Sequence, residues 1–188
     1  MGRFDSPKLP RDFYSGRMNE RDALGEFRAS AEGLRAFKEE ANERGYIPRG
    51  RAIELVRKYT KEDPTNPSKP FSKELRLAVL DELGLVDDTD LDRVRVHTAV
   101  GTPLDVFHGV DGWIEFVPER GSPVVVTLDV TMDTGKLEHK ADIIVQQFPD
   151  PTEDENEFLK IVQVHAREVA RRMMPVVQDM LDRRDRAA

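Results

Sequence analysis

The sequence predicts an α+β fold: a mainly antiparallel four-stranded sheet flanked by helices, with helices before it and one long helix after it. Three observations carry this. Apolar residues recur at steps of three and four over the first third and the last fifth of the chain, the period of an amphipathic helix. Between them lie four short runs rich in Val, Ile, Thr and Phe, the residues favoured in strands: "RVRVHTAV", "LDVFHGVDGWIEFV", "VVVTLDVTM" and "ADIIVQQF". The connections between these runs are too short to hold the usual helical crossovers, which favours antiparallel neighbours.

In chain order, residues 1–16 hold two prolines and little periodicity and read as an irregular arm. Leu24, Phe27, Ala31, Leu34, Phe37 and Ala41 form one helical face from Asn19 to Arg44, with Asn19 as its start cap and Gly45 as its stop. "RAIELVRKYT" is a second, shorter helix. "EDPTNPSKPF" has three prolines in seven residues and marks a boundary. It divides an N-terminal arm and helical region, 1–70, from a main domain, 71–188. Ser72 caps a third helix ending at Gly84. The acidic "VDDTDLD" spaces Asp88, Asp90 and Asp92 like the start of a calcium loop, but Arg93 stands where that loop requires glycine. After the strands, "TEDE" at 152–155 is a capping box for a helix to about Arg184. Its stripe is Phe158, Val162, Val169, Met173, Val176 and Met180, and Pro175 is expected to kink it.

Composition narrows the function classes. The chain has 188 residues, 35% charged and 38% hydrophobic, with no run of eighteen apolar residues to span a membrane. The first residues lack the apolar core of a secretory signal. Cysteine is absent, which excludes disulfides and thiolate metal sites and fits a reducing, cytoplasmic setting. The net charge of −7 is uneven: residues 1–70 carry 15 Lys/Arg against 12 Asp/Glu, and residues 71–188 carry 14 against 24. A broad phosphate-binding surface on the second part is therefore disfavoured. Nucleic acid, if a partner, would meet its backbone contacts on the N-terminal part or the basic C-terminal tip. The long helices also suit self-association into a homo-oligomer.

Two aspartates in the strand-rich region need explaining. Asp111 in "HGVDGWIEF" and Asp129 in "LDVTMD" sit where aspartate is disfavoured and where a buried carboxylate costs several kcal/mol unless paired or metal-bound. With "PERGSP" as the hairpin loop, only one register sets apolar against apolar. It aligns Val110, Ile114 and Phe116 with Val124, Val126, Leu128 and Val130, and it puts Asp111 directly across from Asp129. Their Cβ atoms would then be about 4.5–5.5 Å apart. Like charges so close repel, and a divalent cation such as Mg²⁺ relieves the repulsion. The alternative is structural: a lysine pairs with Asp129, and Asp111 sits in a tight turn between Gly109 and Gly112.

A helix followed by three strands, with "HGVD" on the second and "LDVT" on the third, resembles the PD-(D/E)xK nuclease superfamily over about residues 72–148. The resemblance implies a restriction-endonuclease-like core and Mg²⁺- or Mn²⁺-dependent hydrolysis of DNA or RNA. Asp111 and Asp129 would hold the metal, and Val130 would offer its backbone carbonyl. An acid from the preceding helix, Glu74 or Glu82, would join them. Thr131 stands where the family carries its catalytic lysine. Lys136 or Lys140, just downstream, would have to supply that charge. The eight residues between Met132 and Ala141 are too few for the family's crossover helix. A non-catalytic interaction protein that keeps a nuclease-like scaffold is the rival reading.

Among the histidines, His108 would reach the aspartates' face if Gly109 bulged its strand, as a general base or a further ligand. His97 alternates with Arg93 and Arg95 on a polar face, and His165 lies beside the long helix's apolar stripe. No zinc spacing, Walker loop or serine-nucleophile elbow is present. Trp113, on the aspartates' face, would either stack on a base or pack beneath the N-terminal helices.

Overall fold

A computed structural model describes residues 20–131, 140–146 and 151–187. The hairpin organises the sheet. β2 (Gly112–Phe116) and β3 (Val124–Thr131) pair antiparallel, with Ile114 opposite Val126 and Phe116 opposite Val124. β1 (Val94–Thr98) adds antiparallel to β2, and β4 (Ile143–Gln146) adds to β3, so the strands lie in the order β1-β2-β3-β4. β4 runs parallel to β3, so the sheet is mixed: two of its three pairings, rather than all, are antiparallel. The side chain of Asp142 fixes this parallel start. Its Oδ2 accepts from the Thr127 N–H at 2.9 Å and the Thr127 hydroxyl at 2.7 Å, and its own N–H donates to that hydroxyl oxygen at 3.0 Å. Residues 132–139 of the connection lie outside the described residues.

The helices are α1 (Ala31–Glu40), α2 (Arg49–Tyr59), α3 (Pro70–Glu82), α4 (Asp88–Leu91), α5 (Pro103–His108) and α6 (Glu155–Ala187). A helical turn over residues 20–24 precedes α1. Each sheet face is covered by different helices. Ile114, Phe116, Val126, Leu128 and Val130 meet α3 and α6 through Leu75, Val79, Val162, Val169 and Met173. On the other face Trp113 is buried with Ile47, Leu55, Val56 and Leu104. A sheet with both faces covered needs unbroken apolar character, yet this second face carries Glu115, Thr127 and Asp129, all buried.

Glu115 is matched by partners. Arg57 of α2 donates to its Oε2 at 2.9 and 2.7 Å, and His97 Nε2 lies 3.1 Å from its Oε1. Burial pushes the Glu115 carboxyl up, but its contacts with His97 and Arg57 outweigh that and hold it at about 2. His97 stacks on Trp113 with ring centroids 4.7 Å apart.

Several elements differ from the sequence expectation for local reasons. The helix expected from Asn19 to Arg44 is interrupted: Gly25 turns left-handed at φ 77°, and Ser30 restarts the chain by accepting from the Gly33 N–H. The stretch "LDVFH", expected in a strand, lies in the helix α5. Thr102 caps it, Pro103 fills its first turn, and Gly109 ends it at φ 58°. α3 begins at Pro70 rather than at a Ser72 cap, and the Ser72 hydroxyl donates instead to the Ala23 carbonyl at 2.8 Å. The proline-rich stretch after α2 is held in place: Lys61 N–H donates to Arg28 O at 2.9 Å, and Val96 N–H to Pro64 O at 2.8 Å. α6 begins one residue after Asp154, whose Oδ1 accepts from the Glu157 N–H. It runs through Pro175 without ending.

Candidate metal centre

The paired register of β2 and β3 ends at Gly112–Leu128, and just beyond that end Asp111, before β2, and Asp129, on β3, come to one cleft. The backbone of Asp111 is fully engaged: its N–H donates to Leu128 O at 2.9 Å, and its carbonyl accepts from Ala99 N–H at 2.7 Å. Its position is therefore set by both neighbouring strands. Gly112 is required beside it, because a Cβ there would stand 2.6 Å from the His97 carbonyl oxygen. Gly109 is required before it, because the chain leaves α5 in a left-handed conformation. The two glycines of "HGVDGW" thus steer the aspartate into place from both sides.

Asp111 and Asp129 are each only 3% exposed, and both line a cleft of about 350 Å³. The cleft gathers two further acids. Asp105 comes from α5, and Glu20 from the helical turn before Gly25. Carboxylate oxygens of Glu20, Asp105 and Asp111 all lie within 4.8 Å of one another. The Glu20 segment is tied down: Thr98 Oγ1 donates to Gly25 O at 2.8 Å, and Phe27 N–H to Val100 O at 3.1 Å. Asp105 also accepts from the Gly101 N–H through Oδ2 at 2.8 Å.

Electrostatics concentrate on Asp111. Burial first, and then the charge of Glu20, push its pKa up to about 8, with smaller contributions from Asp105 and Asp129. One hydrogen bond opposes this, from the Val130 N–H to Asp111 Oδ2 at 2.7 Å. Along an antiparallel strand a residue's N–H and C=O face the same neighbour. Val130 therefore turns its carbonyl toward the Asp111 side as well. A cluster of hard oxygen donors with excess negative charge suits Mg²⁺ or Mn²⁺ and not a soft metal.

The other expected residues divide. Lys140 lines the same cleft, and its Cδ lies 4.0 Å from where a Cβ on Gly109 would stand. Its carbonyl accepts from Arg49 Nη1 at 3.1 Å. Lys136 falls outside the described residues. His108 does not join the aspartates. Gly109 caps a helix instead of bulging a strand, and His108 Nε2 bonds to the Ile47 carbonyl at 2.8 Å. Trp113 is fully buried beneath α2 and presents no stacking surface. Glu74 and Glu82 belong to α3, which packs on the opposite sheet face, and Glu82 is bonded to Gln163 and Arg167 of α6. Thr131 ends β3, half-buried.

The sequence reading missed Glu20 and Asp105. The signal for Asp105 was present: "TPLDVFHG" carries a threonine cap, a first-turn proline and a terminal glycine, which together mark a short helix with an acid in its first turn. Nothing local marks Glu20, which reaches the cleft only because the chain breaks at Gly25. Among the described residues no helix is long and apolar enough to cross a membrane. Comparison with protein-family models, curated proteins and solved structures finds no match.

Proposed function

We propose that the chain is a divalent-metal-dependent phosphodiesterase acting on nucleic acid, of PD-(D/E)xK type with a restriction-endonuclease-like core. The observation that carries this reading is the convergence of Asp111, Asp129, Glu20 and Asp105 in one cleft. Asp111 and Asp129 would hold Mg²⁺ or Mn²⁺, with Glu20 or Asp105 as a third carboxylate and Val130 as a carbonyl donor. The bound cation would lower the pKa of a water and neutralise charge on the phosphate. The chain's own groups do the rest. The Val130 N–H fixes the orientation of Asp111. Lys140, on the rim of the cleft, is placed to steady negative charge developing on a phosphoryl oxygen.

A non-catalytic interaction protein on the same scaffold is favoured by two features, the uncharged Thr131 in the position of the catalytic lysine and the excess of acids over residues 71–188. The deciding experiment is incubation of single- and double-stranded DNA and RNA with the protein and Mg²⁺ or Mn²⁺. Cleavage by wild type, falling by orders of magnitude in Asp129→Asn with an intact fold, supports the enzyme. No cleavage of any substrate by wild type rejects it.

A further inference from the structure

The rim of the acidic cleft is aromatic as well as charged. α5 contributes Asp105 to the cluster of acids and turns its next two side chains, Val106 and Phe107, into the lining of the same cleft. Both are exposed, Val106 at 64% and Phe107 at 36%. Tyr46, 40% exposed, meets Phe107 edge to face, with centroids 5.7 Å apart and planes 79° to one another. Tyr46 also meets the His108 ring, with centroids 5.3 Å apart.

This pair is held rigidly. Asn42 and Tyr46 close a tight turn: Asn42 N–H donates to Tyr46 O at 3.1 Å, and Tyr46 N–H to Asn42 Oδ1 at 3.0 Å. His108, which backs Tyr46, is itself anchored to Ile47 O. Phe107 sits in the last turn of a helix capped at both ends. Rings presented this way lose little conformational freedom when something stacks on them. The buried side of the fold has its own aromatic in Trp113, so the core does not need these two.

The geometry points to Tyr46 and Phe107 as a stacking platform for an unpaired nucleobase, which makes single-stranded nucleic acid the substrate of the cleft. This rests on the reading of the acidic cleft as a phosphodiester site. A base in a duplex is stacked on both faces and cannot reach such a platform unless it is flipped out. A duplex would also lay a row of phosphates against a cleft lined by Glu20, Asp105, Asp111 and Asp129 with Lys140. A single strand needs only a local contact, with the phosphate at the acids and Lys140 and the adjacent base on the rings. Stacking accepts any base, because each has a π-face.

The test compares two single-stranded DNA oligonucleotides of equal length, one normal and one abasic, which share phosphates but differ in bases. Binding to the full chain is measured by fluorescence anisotropy with Ca²⁺ in place of Mg²⁺. Wild type should bind the normal strand about tenfold more tightly than the abasic one, the weight of one base–aromatic stack. Phe107→Leu and Tyr46→Leu should lose most of that preference and leave abasic-strand affinity unchanged. Phe107→Tyr and Tyr46→Phe should restore it. Equal affinity of wild type for the two strands, or a preference that survives in both leucine variants, overturns the platform. Cleavage is scored separately with Mg²⁺. Base-selective binding with no cutting would reject the enzyme and keep the platform, and cutting with no base preference would do the reverse.

Discussion

Replacing Asp111 by asparagine should make the metal-free protein more stable, and by an amount that depends on pH. In the folded chain burial and the neighbouring acids, Glu20 foremost, raise the Asp111 pKa to about 8, against about 3.9 in the unfolded chain. A raised folded pKa contributes stability that is complete below about pH 4 and is lost as pH rises through about 8. At pH 7 the unfolded chain carries an ionised aspartate, while the folded chain holds the proton or bears a buried charge. The gap is about 3 units, or about 4 kcal/mol at 1.36 kcal/mol per unit. Asparagine keeps the shape and can accept the Val130 N–H without that penalty. The variant should therefore melt about 8–16 °C higher at pH 7 in EDTA, and the difference should shrink to near zero by pH 4. Adding Mg²⁺ should narrow the difference. A cation at a hundred times its Kd stabilises wild type by about 2.7 kcal/mol, and the variant has lost a ligand. Thermal melts from pH 4 to pH 9, with EDTA and with millimolar Mg²⁺, read both effects. A variant no more stable than wild type at pH 7 in EDTA would refute the buried like-charge argument. An equal gain from Mg²⁺ in both proteins would refute Asp111 as a ligand.

Two further substitutions probe what holds the site in place. Glu115→Gln leaves Arg57 and His97 without their carboxylate and should lower stability by about 3 kcal/mol by urea titration, the low end for a broken buried pair because Arg57 is a third exposed. Because Glu115 is held at about 2, its contribution is present above about pH 4.3 and fades as pH falls toward 2, so the variant and wild type should converge in acid. Gly112→Ala forces a Cβ to within 2.6 Å of the His97 carbonyl oxygen. Both atoms belong to paired strands, so the sheet must part there, at a cost of about 3 kcal/mol or more, and amide exchange at Asp111 and Ala99 should accelerate.

The hairpin was legible in the sequence because two constraints coincide in it. Apolar parity on both arms admits a single register, and the short "PERGSP" loop fixes where the arms begin. The register of Gly112–Phe116 against Val124–Leu128 follows from those alone. The parallel direction of β4 was not legible, because it depends on Asp142 finding Thr127, a contact between polar side chains that leaves no periodic trace. α5 was misread because Val106, Phe107 and His108 look strand-like one by one, while their helical state is set by Thr102, Pro103 and Gly109 at the ends. His108 was drawn into the site by that misreading.

The sheet's second face shows that its aspartates are not explained by packing. The acids beside the cleft differ in how the protein treats them, and two are matched by its own groups. Glu115 has Arg57 and His97. Asp142, just before β4 and exposed, has Thr127 on one side and Arg172 on the other; partial desolvation raises its carboxyl, but the Thr127 bonds outweigh that and hold it below the ordinary range. Asp111 receives the opposite treatment. The hydrogen bond to its carboxylate comes from a backbone N–H, its charged neighbours in the cleft are mainly acids, and its carboxyl is pushed up. The same fold places cations beside the acids it uses for structure. A fold that turns Glu20 and Asp105 toward Asp111 instead, through a chain break at Gly25 and a capped helix turn, keeps a site whose negative charge calls for a cation from outside.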